Sequence, residues 1–168
     1  MTMQRTPLLM SRLLDRGARL SPDEQIVTAT STGRHRQSYA QTRARACQLA
    51  NALRRRGIEI GDRVATFMWN GRRHLEAYQA LPSMGAVLHT LNIRLSPREL
   101  EYIVNHAADR VLLVDADLLP LLEPLRGKLA SVALIVVGGE AGGFQTTLPN
   151  AVDWEQRDAR LIDHRDGS

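Results

Sequence analysis

Between residues 63 and 115 the apolar pattern alternates between strand-like and helix-like spacing with almost no slack, and this feature most restricts what the chain can fold into. Val64, Ala65, Phe67, Met68 and Trp69 form an apolar run too short for a helix, with Gly61 and Asp62 punctuating its start. Residues 74–84 then carry Leu75, Tyr78, Gln79 and Leu81 on helical spacing, and Gly85 stops them before Ala86, Val87 and Leu88 begin another strand. Ser96, Pro97 and Glu99 give the chain's clearest helix start: a capping residue, a proline suited to the first helical position, and the glutamate of a capping box. Leu95 and Leu100 occupy the staple positions around it, and Leu100, Ile103, Val104 and Ala107 make one apolar stripe. An Arg-Val-Leu-Leu-Val run at 110–114 follows directly. Links this short leave no room for antiparallel returns, so the strands pair in parallel through right-handed crossovers. The fold class is α/β: a layered, mostly parallel sheet with flanking helices.

The flanking segments extend this scheme. Residues 7–19 read as an entry helix ending at Gly17 or Leu20, and residues 26–30 and 36–39 pair as a small amino-terminal hairpin across Ser31, Thr32 and Gly33. Ser38 and Gln41 form a second capping box, opening a helix whose buried face is Ala46, Leu49, Ala50 and Leu53 and whose outer face carries Arg43, Arg45, Arg54 and Arg55. Residues 117–129 read as a helix that Pro120 and Pro124 split or shorten, and residues 132–137 as a fourth parallel strand. Periodicity is low over residues 138–154.

Composition narrows the function classes. A chain of 168 residues is long enough for one domain, burying roughly 70% of the surface its unfolded form exposes. No window approaches the ~18 apolar residues of a membrane span, and Ser11 and Arg12 break the early apolar stretch, so the expected location is cytoplasmic. Cys47, the single cysteine, permits no internal disulfide and is expected to be a buried structural thiol beside Ala46, Leu49 and Ala50. The net charge of +4 is carried at the amino-terminal end, where residues 1–56 hold eleven arginines against Asp15, Asp23 and Glu24. Arg54, Arg55 and Arg56 close a helix before Gly57, where cations suit the helix dipole without any ligand. Scattered aromatics and the lack of a reader motif argue against a nucleic-acid partner.

Motifs for chemistry are sparse. The five histidines form no metal-ligand spacing, there is no nucleophile elbow, and the Gly-Gly-Glu-Ala-Gly-Gly run at 138–143 fits neither a dinucleotide fingerprint nor a Walker loop, because Glu140 and Phe144 stand where glycine and lysine are needed. That run reads as a surface loop. Accordingly no catalytic, cofactor-binding or metal-ligating residue is assigned. Trp69, Asn70 and His89 are the candidate substrate-pocket positions, since each stands at or near a strand's carboxyl end, where ligands gather on parallel sheets.

The same central stretch carries a resemblance. Gly-Asp-Arg-Val-Ala at 61–65, Trp69 with Asn70, His-Leu-Glu-Ala-Tyr at 74–78, Met-Gly-Ala-Val-Leu-His-Thr-Leu-Asn at 84–92, Arg-Leu-Ser-Pro at 94–97 and Asn-His-Ala at 105–107 resemble the amino-terminal third of bacterial long-chain fatty-acyl-CoA synthetases, which are AMP-forming adenylating ligases. The similarity runs in one register from about Tyr39 to Leu125. It implies a partial ligase domain over residues 1–150, incomplete relative to the full ligase, with 151–168 a non-family or disordered tail. Residues 151–155 still resemble the family's approach to its phosphate loop, whereas 156–168 do not. In the complete family a fatty acid is adenylated with ATP and Mg and passed to CoA. The loops and the lysine that do this in the family have no counterpart here, so the resemblance implies a truncated segment that binds none of these cofactors and is inactive alone. A further expectation is self-association through an incompletely covered sheet. The other reading of the residues is a non-catalytic α/β module for oligomerisation or nucleotide binding.

Overall fold

Residues 63–67 alternate sides of a sheet that is covered on both faces, which is why Val64, Ala65, Thr66 and Phe67 are all buried although only some of them are aliphatic. The computed structural model describes residues 9–31, 33–139 and 143–155. Their elements run α1 (Met10–Leu20), β1 (Gln25–Thr30), β2 (Gly33–Ser38), α2 (Tyr39–Arg55), β3 (Arg63–Phe67), α3 (Arg72–Met84), β4 (Val87–Thr90), α4 (Pro97–Ala107) and β5 (Val111–Asp115). After them come a broken helical stretch around α5 (Leu119–Leu122), then β6 (Leu134–Gly138) and β7 (Ala151–Asp153).

Five strands form one sheet in the order β4-β3-β5-β6-β7, and every neighbouring pair is parallel. The pairing places Ala65 beside both His89 and Leu112, and Asp115 beside Gly138. Strands β1 and β2 make a separate antiparallel hairpin. This is the α/β architecture that the alternating periods predict, including the amino-terminal hairpin.

Each sheet face has its own core. On one side Val64, Val111, Leu113, Leu134 and Val136 pack under α2 and α3 through Leu49, Leu53, Ala77 and Leu81. On the other, Ala65, Phe67, Leu112, Val114, Ile135 and Val137 meet Leu100 and Val104 of α4 and Leu118, Leu119, Leu122 and Leu125 of the broken stretch. Both capping boxes form as their spacing predicts, Ser38 with Gln41 and Ser96 with Glu99. Gly85 ends α3 in the left-handed region at φ 87°, where a Cβ would sit 2.9 Å from Ile60.

Three sequence readings are revised. Cys47 is exposed, not buried: it follows Ala46 by one residue, about 100° around the helix, and so shares the solvent side with Arg43. Arg45 does not lie on the outer face of α2, because it is four residues before Leu49 and its guanidinium turns inward onto Glu76. The low-periodicity stretch contains a fifth strand, β7, and the next residue, Trp154, is fully buried in the α2/α3 core. The change of character expected from residue 156 onward lies outside the described residues.

Candidate functional site

The carboxyl ends of β3, β5, β6 and β7 open into a cleft of about 1510 Å³, closed on its far side by the β1–β2 hairpin and α2. Topology explains its position: every neighbouring strand pair is parallel, which leaves the strands' carboxyl ends on one rim. Its volume exceeds the ~300–1,000 Å³ of a typical small-molecule site.

Trp69 and Asn70, just past β3, line this cleft. Trp69 is half exposed, yet its position is set twice: its backbone N–H donates to Asp115 Oδ2 at 2.8 Å, and its indole Nε1–H donates to Asp117 Oδ2 at 2.8 Å. His89 is not among the lining residues. It stands within edge strand β4, where its Nδ1 lies 2.8 Å from Asp109 Oδ2. Asp109 is fully buried, and burial pushes its carboxyl up against the pull of His89 and Arg63. The structure thus brings Trp69 and Asn70 together and leaves His89 apart.

The rim carries groups that sequence reasoning passed over. Asp115 ends β5, and burial raises its carboxyl to about 6 in spite of the Trp69 N–H and nearby Arg73. Facing it, α3 starts at Arg72 after Gly71, whose lack of a side chain leaves the helix without a side-chain cap. Arg73 crosses the end of β6 and donates from Nη2 to the Gly139 carbonyl at 2.5 Å. A Cβ on Gly138 would sit 2.7 Å from Arg73 Cδ, so a larger residue there would push the Arg73 side chain aside.

Beneath the arginines lies Glu76, fully buried, with Oε1 accepting from Arg45 Nε at 2.7 Å and Gln37 Nε2 at 3.2 Å, and with Arg72 at 3.7 Å. Its Oε2 has no hydrogen-bond partner among the described residues. Arg45 also grips Glu155, Nη2 to Oε1 at 2.6 Å and Nη1 to Oε2 at 3.3 Å. Burial opposes ionisation of Glu155, but Arg45, Arg72 and Arg73 outweigh it and hold the carboxyl below its usual range. Two signals could have revealed this network: Arg72 and Glu76 at i, i+4, and Arg45 at i−4 from a buried leucine.

Such a cleft can bind and orient charged ligands, but the chemistry it offers is limited. Among the described residues no group of three or more His, Cys, Asp or Glu is placed to hold a metal ion, and no helix is long and apolar enough to cross a membrane.

A five-stranded parallel sheet, helices on both faces and a cleft at the strand ends define an open α/β scaffold of the kind that gathers ligands at its strand ends. Residues 14–166 match the AMP-binding enzyme family, and the chain belongs to it. It is similar to the long-chain-fatty-acid–CoA ligase of Thermus thermophilus, 50% identical over 83% of this chain and 26% of that protein. It is also similar to the 3-methylmercaptopropionyl-CoA ligase of Ruegeria lacuscaerulensis, 42% identical over 82% of this chain and 26% of that protein. Among solved structures, the Mycobacterium tuberculosis fatty acyl CoA synthetase superposes with a TM-score of 0.70 at 28% identity, over 77% of this chain and 26% of that one. The chain therefore spans about a quarter of the length of the curated relatives it matches.

Proposed function

We propose that this chain is the amino-terminal scaffold segment of an acyl-CoA ligase acting on fatty acids in the cytoplasm, and that it does not perform ligation by itself. The observation that carries this reading is the 50% identity to a long-chain-fatty-acid–CoA ligase over 140 residues, in a chain whose described strands form a five-stranded parallel sheet.

In the reaction this reading assigns to the whole protein, the fatty acid carboxylate attacks the α-phosphorus of ATP and pyrophosphate leaves; the CoA thiolate then attacks the acyl carbon and AMP leaves. Both steps demand alignment, and the first would draw charge stabilisation around its phosphates from ATP-bound Mg together with protein donors. What this segment contributes is the rigid strand ends, with Trp69 and Asn70 at the rim facing the acyl or nucleotide side of a complete site. His89, tied to buried Asp109, supports the edge strand from which that rim continues. Strands β4 and β7, which end the sheet among the described residues, give the segment a tendency to self-associate.

The test has two arms. Purified chain should show no fatty-acid-dependent ATP–pyrophosphate exchange, whereas a chimera in which residues 9–155 replace the matching segment of the Thermus ligase should retain exchange. Exchange by the chain alone, or a folded but inert chimera, would contradict the proposal.

A further inference from the structure

The cleft is lined by both signs of charge: Asp115, Asp117, Asp153 and Glu155 at or after the strand ends, and Arg34, His35, Arg45, Arg72 and Arg73 from the hairpin, α2 and the start of α3. Three of those guanidinium groups converge on a single carboxylate: Glu155 lies 2.6 Å from Arg45, 3.6 Å from Arg72 and 3.8 Å from Arg73. The other acid of the cluster, Glu76, takes Arg45 at 2.7 Å and Arg72 at 3.7 Å from below. Among the described residues the three arginines thus meet two glutamates, with Asp115 near enough to feel Arg73 and Arg72, and only Arg45 makes close hydrogen bonds to either glutamate. Among the described residues Arg72 makes only long contacts to these two acids, and Arg73 Nε is buried without a hydrogen-bond partner.

The charge of these arginines is felt nearby. His35 is pushed toward its neutral form first by burial and then by Arg72, Arg45 and Arg73, and Arg72 is itself depressed by burial and by its two arginine neighbours. The arrangement is also built in place: Arg73 is fixed across Gly138 by its bond to the Gly139 carbonyl, and Arg45 is fixed by buried Glu76. Glu155 is the more open partner: its side chain is 35% exposed, Arg45 alone donates close hydrogen bonds to it, and its backbone N–H donates to Asp153 Oδ1 at 2.6 Å.

We propose that Arg45, Arg72 and Arg73 form an anion-binding site which Glu155 fills from within the chain, and that a phosphate-bearing ligand displaces the Glu155 carboxylate. A phosphate group brings more charge and a third oxygen to a set of guanidinium donors that one carboxylate leaves partly unmatched. Asp115, Asp117 and Asp153, also in the lining, oppose such a ligand and favour placing its phosphate on the arginines. The site stands independently of the acyl-CoA ligase reading, since the arginines bind phosphate or do not whatever the whole protein catalyses.

Titration calorimetry of the 168-residue chain with pyrophosphate, with ATP and with sulfate at matched ionic strength tests this. Pyrophosphate and ATP should bind and sulfate should bind more weakly. Glu155→Gln removes the internal competitor and should lower the pyrophosphate Kd at least fivefold. Arg72→Gln, which leaves both close Arg45 bonds intact and so spares the fold, should raise it at least tenfold. Circular dichroism melts confirm that each variant is folded. The proposal is overturned if pyrophosphate does not bind, if sulfate binds as tightly as pyrophosphate, if folded Glu155→Gln binds no better than the wild type, or if Arg72→Gln binds as well.

Discussion

Glu76 shows how much a single side chain can depend on its neighbours here. It sits fully buried on α3 with two arginines and Gln37 around it, and a carboxylate in that position is tolerated only because those donors replace its lost water. Glu76→Ala should therefore destabilise the protein by about 3 kcal/mol, because it leaves partly buried Arg45 and Arg72 without their inner partner. Urea unfolding would show the midpoint falling without a change in slope. Asp115 works with the opposite sign. Its folded carboxyl is raised to about 6 from an ordinary value near 3.8, so the folded state holds the proton more tightly than the unfolded state does. The associated stability is present below pH 3.8 and is lost as pH rises through 6. Asp115→Asn keeps an acceptor for the Trp69 N–H and removes the buried charge. It should raise stability at pH 7 by about 1 kcal/mol and change little at pH 3.5, as measured by urea midpoints at the two pH values. Neither residue stood out in the sequence. Glu76 looks like any helical glutamate until α2 is packed against α3, and Asp115 looks like a polar residue closing a strand.

At the scale of elements, local chemistry was far easier to read. Ser96, Pro97 and Glu99 announce α4 because a helix start must satisfy its own first N–H groups, and that need is met within four residues. Ser96→Ala should cost about 1 kcal/mol in thermal or urea unfolding. Gly85 is equally local: at φ 87° with Ile60 Cγ1 2.9 Å from a would-be Cβ, Gly85→Ala should destabilise by more than ~1 kcal/mol in the same measurement. The broken stretch around α5 follows from Pro120 and Pro124, which remove backbone donors at fixed places. Strand β7 was not legible. Three residues carry too little periodicity to declare a strand, and Ala151–Asp153 becomes one because the exposed edge of β6 offers it a parallel ladder. Cys47 and Arg45 were misplaced for a related reason. Helical spacing identifies the centre of a buried face, but the residues on its flanks are assigned by the shape of the neighbouring helix.

Across the whole molecule, the sheet ends in two short edges, β4 and β7, and the described surface keeps large apolar side chains in the open, with Ile60 85% and Val87 47% exposed. Strand β4 offers free backbone groups next to Val87, a combination that invites edge pairing. Sedimentation velocity should show a concentration-dependent rise in the average sedimentation coefficient, and Val87→Lys should shift it toward the monomer by placing a charge on that edge. Concentration-independent monomer behaviour in the wild type would sink this expectation. The same openness leaves the charged cleft accessible, so association through β4 and anion binding at the arginines occupy separate parts of the surface.

By itself the sequence determined the order of strands and helices, their parallel pairing, the caps that start and stop them, and the resemblance to acyl-CoA ligases. These depend on spacing and on contacts a few residues apart, which a linear pattern records. Only the tertiary structure decided that Arg45, Arg72, Arg73, Glu76 and Glu155 meet, that Trp69 leans on two aspartates, and that His89 turns to Asp109 and away from the cleft. Those groups come from different elements, up to 110 positions apart in the case of Arg45 and Glu155, and burial sets their charges only once the helices have closed over the sheet.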